Sequence, residues 1–313
     1  MINCGLIGVG KFGKNILKNL KRHKAIKNIY LCDTNISTNT IFESLPITPD
    51  YKSVLNNPDI NSVFIATPSY THYGIIMDAI KADKHVFCEK PICSTFDELS
   101  VIYNINKPLN KYIYCDYTFC YSNMINEFKQ IMYLHNFHGV SNIDISWYST
   151  NIEDKNTETY IDVIRDLAVH CLSILMFLYN NNDIIITNVD NLYDNNIIIK
   201  STIYATISNT RCSINVSWNN CHNERTIHIY DSNQRLLIDF IKKKIVISNK
   251  IEQEVTTSKE GLAHLKNSLN EKYNVLLNLL IYFSLNEIKY WKDYKSKDIY
   301  NDDNYYPDYN YIE

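Results

Sequence analysis

Asp166 and His170 stand four residues apart in the run Arg165-Asp166-Leu167-Ala168-Val169-His170. On a helix that spacing puts a carboxylate and an imidazole on one face, while Leu167, Ala168 and Leu172 turn to a core. Imidazole takes up and gives back a proton near neutral pH, and a carboxylate beside it orients a hydroxylated substrate or balances the charge of the site. Lys90 is a third such group, in Glu89-Lys90-Pro91 directly after the apolar run 85–88. An amine there bonds a hydroxyl, and it exchanges a proton when desolvation or a nearby cation lowers its pKa. Pro91 holds Lys90 in extended backbone, which sets the direction of the amine. Each feature alone has a structural reading as well: an ordinary polar pair with a satisfied core histidine, and a solvated lysine in a turn.

A fourth pattern opens the chain. The apolar strand 2–7 runs into Gly8-Val9-Gly10-Lys11-Phe12-Gly13 and then into a helical segment, 15–22. Asp33 ends the next apolar run, twenty residues after Gly13. This is the dinucleotide fingerprint. Gly8 permits the tight turn, Gly10 lets the backbone approach a pyrophosphate, and Gly13 lets the helix pack closely on the strand. A carboxylate at Asp33 accepts hydrogen bonds from an adenosine ribose diol and repels a 2′-phosphate. No arginine follows in Thr34-Asn35-Ile36 to pair with such a phosphate. NAD is therefore expected ahead of NADP, with NADP still possible, and nothing in the chain asks for a flavin. Oxidation of a secondary alcohol by such a coenzyme releases a hydride to the nicotinamide and a proton to a base, the work that lysine, aspartate and histidine suit.

The elements that must position these groups change character along the chain. Residues 1–116 read as a Rossmann domain. Strands at 2–7, 28–32, 62–67, 85–88 and 112–115 alternate with helices at 15–22, 53–56, 71–81 and 96–104, which implies a parallel sheet with helices on both faces. Asp33, Thr67-Pro68 and Glu89-Lys90-Pro91 all fall at carboxyl ends of strands, where ligands bind in such sheets. Residues 117–290 read as an α+β domain for substrate binding and oligomerisation. It has helices at 124–132, 163–179 and 259–286 and a large, mostly antiparallel open sheet built from extended segments at 139–149, 184–189, 197–208, 212–218, 226–230, 235–240 and 244–248. Asp231-Ser232-Asn233 marks a hairpin. Residues 291–313 form a Tyr-, Asp- and Asn-rich tail without periodicity.

Composition narrows the classes. A net charge of −3 and the lack of a compact basic and aromatic patch argue against nucleic-acid binding. The 25 tyrosines are read as compositional bias rather than stacking platforms. The nine cysteines are spread irregularly. The pairs Cys88/Cys93 and Cys115/Cys120 have C-x4-C spacing, so neither a zinc site nor disulfides are expected. The chain enters its first strand at once, without a leader pattern, and the apolar run 275–285 is too short to span a bilayer. A soluble, cytoplasmic protein without membrane attachment is the expectation.

On Gly8–Gly13, Asp33, Ala66-Thr67-Pro68 with His72, Glu89-Lys90-Pro91 and Asp166-x-x-x-His170, the chain resembles the glucose–fructose oxidoreductase / inositol dehydrogenase / rhizopine catabolism (Gfo/Idh/MocA) family of NAD(P)-dependent oxidoreductases, up to about residue 290. The resemblance implies that Lys90, Asp166 and His170 form the catalytic group. It implies that Gly8, Gly10, Lys11, Phe12, Gly13, Asp33, Ala66, Thr67, Pro68, His72, Glu89, Lys90 and Pro91 line the coenzyme site, with a cis Lys90–Pro91 peptide. Tyr148 and Arg165 are expected to reach the substrate with Lys90, Asp166 and His170. Tyr117-Thr118-Phe119, the Asp166–His170 segment and Ser217-Trp218 followed by Arg225 look like the branch that handles sugars or nucleotide sugars. Many relatives carry an aspartate where this chain has Cys171 and a glycine where it has Asp116. The implied activity is hydride transfer between nicotinamide and a secondary alcohol or ketone of a sugar, nucleotide sugar or cyclitol, by a homo-oligomer, dimer or tetramer. The alternatives are a reductase of another unsaturated small molecule (dihydrodiol or tetrapyrrole type) and a redox-silent NAD-binding scaffold.

Overall fold

The computed structural model describes residues 1–35, 40–42, 44–109, 111–150, 162–179, 184–207, 210–249 and 255–256. They fall into two compact units, Met1–Asp116 and a second that begins at Tyr117. The helix expected over 259–286, the domain end at 290 and the tail lie outside the described residues.

The first unit is a seven-stranded sheet in the order β3-β4-β2-β1-β5-β6-β7. Its strands are β1 (Ile2–Ile7), β2 (Ile26–Cys32), β3 (Thr40–Phe42), β4 (Leu45–Thr48), β5 (Ser62–Ile65), β6 (His85–Glu89) and β7 (Ile113–Asp116). All neighbours pair in parallel except β3 and β4. Helices α1 (Lys11–Leu20), α2 (Tyr51–Leu55), α3 (His72–Lys81) and α4 (Phe96–Leu109) connect them. Cys4, Leu6, Ile7, Val63, Phe64 and Ile65 are buried, as befits central strands covered on both faces. The cysteines at 4 and 32 act as small apolar side chains, and burial pushes both thiols up to about 12. Helix α4 starts on a capping box: Glu98 N–H donates to Thr95 Oγ1, and Thr95 N–H donates back to Glu98 Oε2. Because β2 and β5 flank β1 on opposite sides, the crevice beyond β1 and β5 is the topological switch point, where ligands of such sheets bind.

The short pair β3–β4 is an addition to the expected strands. Pro46 obscured it, since proline reads as a strand breaker. Pro46 stands opposite Ile41 and outside the two positions at which β4 pairs with β2, so its missing N–H leaves that ladder intact.

The second unit holds an eight-stranded sheet in the order β15-β14-β13-β12-β8-β11-β10-β9, antiparallel except for β8 with β11. These strands are β8 (Asn142–Tyr148), β9 (Ile184–Asp194), β10 (Ile197–Ile207), β11 (Thr210–Ser217), β12 (Glu224–Tyr230), β13 (Gln234–Asp239), β14 (Lys244–Asn249) and β15 (Val255–Thr256). Strict alternation gives the sheet one apolar face. Ile143, Ile145 and Trp147 of β8 are buried with Ile227 and Ile229 of β12 and Ile214 and Val216 of β11, against α5 (Asn123–Leu134) and α6 (Val169–Leu178). Ser122 caps α5 by accepting from Ile125 N–H. One helix departs from expectation. Ile164–Ala168 form a π-helical segment, and α6 proper begins only at Val169. Strand β9 runs five residues past the expected end, through exposed positions that include Leu192 and Tyr193. No helix among the described residues is long and apolar enough to cross a membrane.

Candidate active site

In the first unit the glycine loop joins β1 to α1. Gly8 has φ +93, and a Cβ there would lie 2.5 Å from the Ala66 carbonyl oxygen. A Cβ on Gly13 would lie 2.0 Å from the Gly8 carbonyl oxygen. Both glycines are thus demanded by the protein's own backbone. Gly10 differs, because a Cβ there meets nothing within 4 Å. It is the N-cap of α1, makes no side-chain cap bond, and no acidic residue sits in the first turn. The orphan N–H groups and positive dipole end of this helix face space that a side chain at Gly10 would fill. Lys11 and the exposed Phe12 stand on that turn. Asp33 Oδ2 accepts from Val9 N–H at 2.9 Å and Oδ1 from Asn35 N–H at 2.9 Å. The carboxylate is thereby locked to the loop, and each oxygen keeps capacity for a further donor such as a ribose hydroxyl. These residues fit a dinucleotide.

The ends of β5 and β6 are tied to each other through His72. Its Nδ1 lies 2.7 Å from Pro91 O and its Nε2 lies 2.9 Å from Thr67 O. Thr71 Oγ1 donates to Pro68 O and lies 2.6 Å from Thr67 Oγ1. Ala66, Thr67, Pro68 and the Lys90–Pro91 peptide, which is cis, are held as one rim. His72 therefore acts on this rim by positioning it: the buried ring sets its two nitrogens against two backbone carbonyls, and in its neutral form it donates to one of them. Burial pulls its pKa below the usual histidine value, the two carbonyls push it back up, and the Lys90 charge lowers it further. A depressed native pKa makes the contribution of His72 complete above about pH 6.5, and lost as pH falls from there through the folded pKa. His85 and His228 have the same direction. Denaturant midpoints should accordingly drop between about pH 7.5 and 5.5, and less steeply in His72→Asn. His72→Ala should cost about 2 kcal/mol at neutral pH, from one lost hydrogen bond to a carbonyl and the lost packing of a buried ring; an unaltered midpoint would deny the tie.

Glu89 is buried beside Lys90 in sequence, and it stands in register with the fully buried Asp116 at the end of β7. A carboxylate closing an apolar strand, as Asp116 does, was a legible signal that the sequence reading noted only as a departure from relatives.

In the second unit, Asp166 rises from the π-helical segment and His170 from the first turn of α6; both are half-buried. Trp218, at the end of β11, donates from Nε1 to Asp166 Oδ2 at 2.9 Å. The His170 ring meets Phe119 edge-on at 5.0 Å and stacks on Trp147 at 6.1 Å. Phe119, Trp147 and Phe240 close on one another at 4.8–5.4 Å. A carboxylate and an imidazole are thus presented on an aromatic floor that limits their rotation. Cys171 points its thiol at Leu167 O within the core, and burial holds its pKa well above the ordinary range.

The two further residues expected at the substrate, Arg165 and Tyr148, stand as follows. Arg165 is bound to Asp162, by an Nη1–Oδ2 ion pair of 2.5 Å and by its N–H to Oδ1 at 2.8 Å. Tyr148 alternates with Trp147 on β8 and so falls on the opposite sheet face from the one that His170 packs against. The residues that the sequence left without a role are Trp218 and the floor formed by Phe119, Trp147 and Phe240.

Residues 2–117 match the model of the "Oxidoreductase family, NAD-binding Rossmann fold". The chain is 36% identical over 103 residues to an uncharacterized oxidoreductase of Bacillus subtilis, YrbE, a match that covers 32% of this chain and 30% of that one. It is 31% identical over 99 residues to an inositol 2-dehydrogenase of Acidothermus cellulolyticus, covering 30% of this chain and 29% of that one. The matched segments span less than a third of the length of these curated relatives. Among solved structures, a levoglucosan dehydrogenase in complex with NADH and L-sorbose aligns with a TM-score of 0.73 at 18% identity, over 86% of this chain and 82% of that one. That likeness extends the shared fold across both units. Residues 2–117, with the glycine loop, its anchored carboxylate and the rim around Lys90, are thus similar to the NAD-binding Rossmann unit of the Gfo/Idh/MocA oxidoreductases.

Proposed function

We propose that this protein is an NAD-dependent dehydrogenase or ketone reductase of a sugar, nucleotide sugar or cyclitol, with NADP as a possible substitute. Bound at the Gly8–Gly13 loop, the coenzyme supplies a nicotinamide that accepts or returns a hydride. The chain's own groups do the rest. Lys90 bonds the reacting hydroxyl and exchanges its proton, and His170 acts as the base or acid. Asp166, steadied by Trp218, orients the substrate hydroxyls and balances the charge that His170 gains. The observation that carries this reading is the anchored Asp166 beside the aromatic-framed His170, in a chain whose residues 2–117 match the model of an NAD-binding oxidoreductase family. The inositol and levoglucosan dehydrogenases among its relatives support a polyol substrate.

Exposed Ile185, Leu192, Tyr193 and Tyr204 on β9 and β10 support a homo-oligomer, and the burial of most cysteines as apolar side chains suits a reducing cytoplasm. A screen of neutral, acidic and nucleotide-linked sugars and cyclitols should find NAD-dependent gain of NADH absorbance with at least one. NADH bound tightly, with no polyol turned over in either direction, would instead favour the scaffold reading.

A further inference from the structure

Arg225 is a residue for which the reaction as proposed has no use. It is the second residue of β12, directly opposite Trp147 of β8, and it shares its sheet face with the buried Ile227 and Ile229. Its guanidinium lies 5.6 Å from the Phe119 ring and 5.6 Å from the Trp147 ring, the two rings that frame His170. The Asp166 charge reaches it. Among the described residues, however, no carboxylate comes within ion-pair distance and no acceptor takes one of its hydrogen bonds. The residue is exposed to solvent. Desolvation against the rings pulls its pKa down from the usual value, and Asp166 pulls it back up.

A guanidinium stacked on aromatic faces keeps its edge for binding. Its five donors form a fixed fork that matches the two oxygens of a carboxylate or phosphate. The neighbouring rings lower the local dielectric and strengthen that bond. Asp166 and His170 suffice for hydroxyls; Arg225 adds a cation that no carboxylate among the described residues pairs at ion-pair distance.

We propose that Arg225 sets substrate choice at the Asp166–His170 site by holding an oxyanion carried by the substrate, a carboxylate or a phosphate. This rests on the polyol reading above and narrows it to acidic or phosphorylated polyols.

Tryptophan emission reads the site directly, because Trp147 and Trp218 belong to it. The full chain would be titrated with glucose, glucuronate, glucose 6-phosphate and inorganic phosphate, and the same done for Arg225→Gln and Arg225→Lys. The wild type should bind one of the acidic sugars at least tenfold more tightly than glucose, and whichever wins assigns carboxylate or phosphate. Arg225→Gln should bring that ratio close to one. Arg225→Lys, which keeps the charge and loses the fork, should fall between, and it carries the test alone if the glutamine variant does not fold. Inorganic phosphate should compete only with the preferred acidic sugar. Equal binding of neutral and acidic sugars by the wild type, or a preference that survives both substitutions, would overturn the assignment. Binding and turnover separate the two proposals. An Arg225-dependent preference without NADH formation refutes the dehydrogenase and keeps the anion site, whereas turnover without the preference does the reverse.

Discussion

Lys90→Ala should cut turnover about 10²- to 10⁴-fold, the usual worth of a positioned acid or base, and leave NAD affinity nearly unchanged. The substitution removes only atoms beyond Cβ. Pro91 and the His72 contacts with Pro91 O and Thr67 O stay in place, so the rim keeps its form. Lys90→Arg should restore little. A guanidinium binds a hydroxyl but does not yield its proton at working pH, and its planar fork differs from a compact ammonium. Steady-state rates and NADH titrations of the two variants settle the matter, and wild-type turnover in Lys90→Ala would take the amine out of the mechanism.

Gly10→Asp should move stability and coenzyme binding in opposite directions. Aspartate is a preferred N-cap and complements the positive end of α1, and the extended backbone at position 10 accepts it. Stability should rise by roughly 0.5–1 kcal/mol. The same carboxylate would occupy the N–H groups that a pyrophosphate needs and would repel it, weakening NAD about 100-fold or more, or about 2.7 kcal/mol. Gly13→Ala is the contrast. Its methyl would sit 2.0 Å from Gly8 O, so α1 must move off β1, and a loss of about 1–3 kcal/mol or more is expected. Thermal melts with and without NADH distinguish these outcomes. A Gly10→Asp variant that binds NADH like the wild type would mean that this loop is not the pyrophosphate cradle.

The Rossmann unit was legible because its constraints are local. A strand, a turn that needs positive φ at Gly8 and a close helix contact at Gly13 leave their marks within thirteen residues, and the Asp33 spacing adds one more. The second unit's site depends on distant partners. Trp218 lies 52 residues from the Asp166 that it anchors, and Phe119, Trp147 and Arg225 meet only once β8 and β12 have paired. The face that Tyr148 takes on β8 is a matter of strand parity, which sequence alone does not determine when a run is partly polar. The pairing of Arg165 with Asp162 was legible, since three residues on a helical turn bring the two side chains together. The π-helical segment leaves no mark because Ile164, Leu167 and Ala168 suit an α-helix equally well.

The account depends on a hydride moving from a polyol carbon to the coenzyme. The most direct measurement uses a substrate from the acidic or neutral polyol panel that carries deuterium on its carbinol carbon, incubated with NAD and the full chain. Mass analysis of the reduced coenzyme should find the deuterium in the nicotinamide ring, with the label absent when Lys90→Ala replaces the wild type over the same interval. Reduced coenzyme without deuterium, or bound NAD that no labelled polyol reduces, would contradict the account.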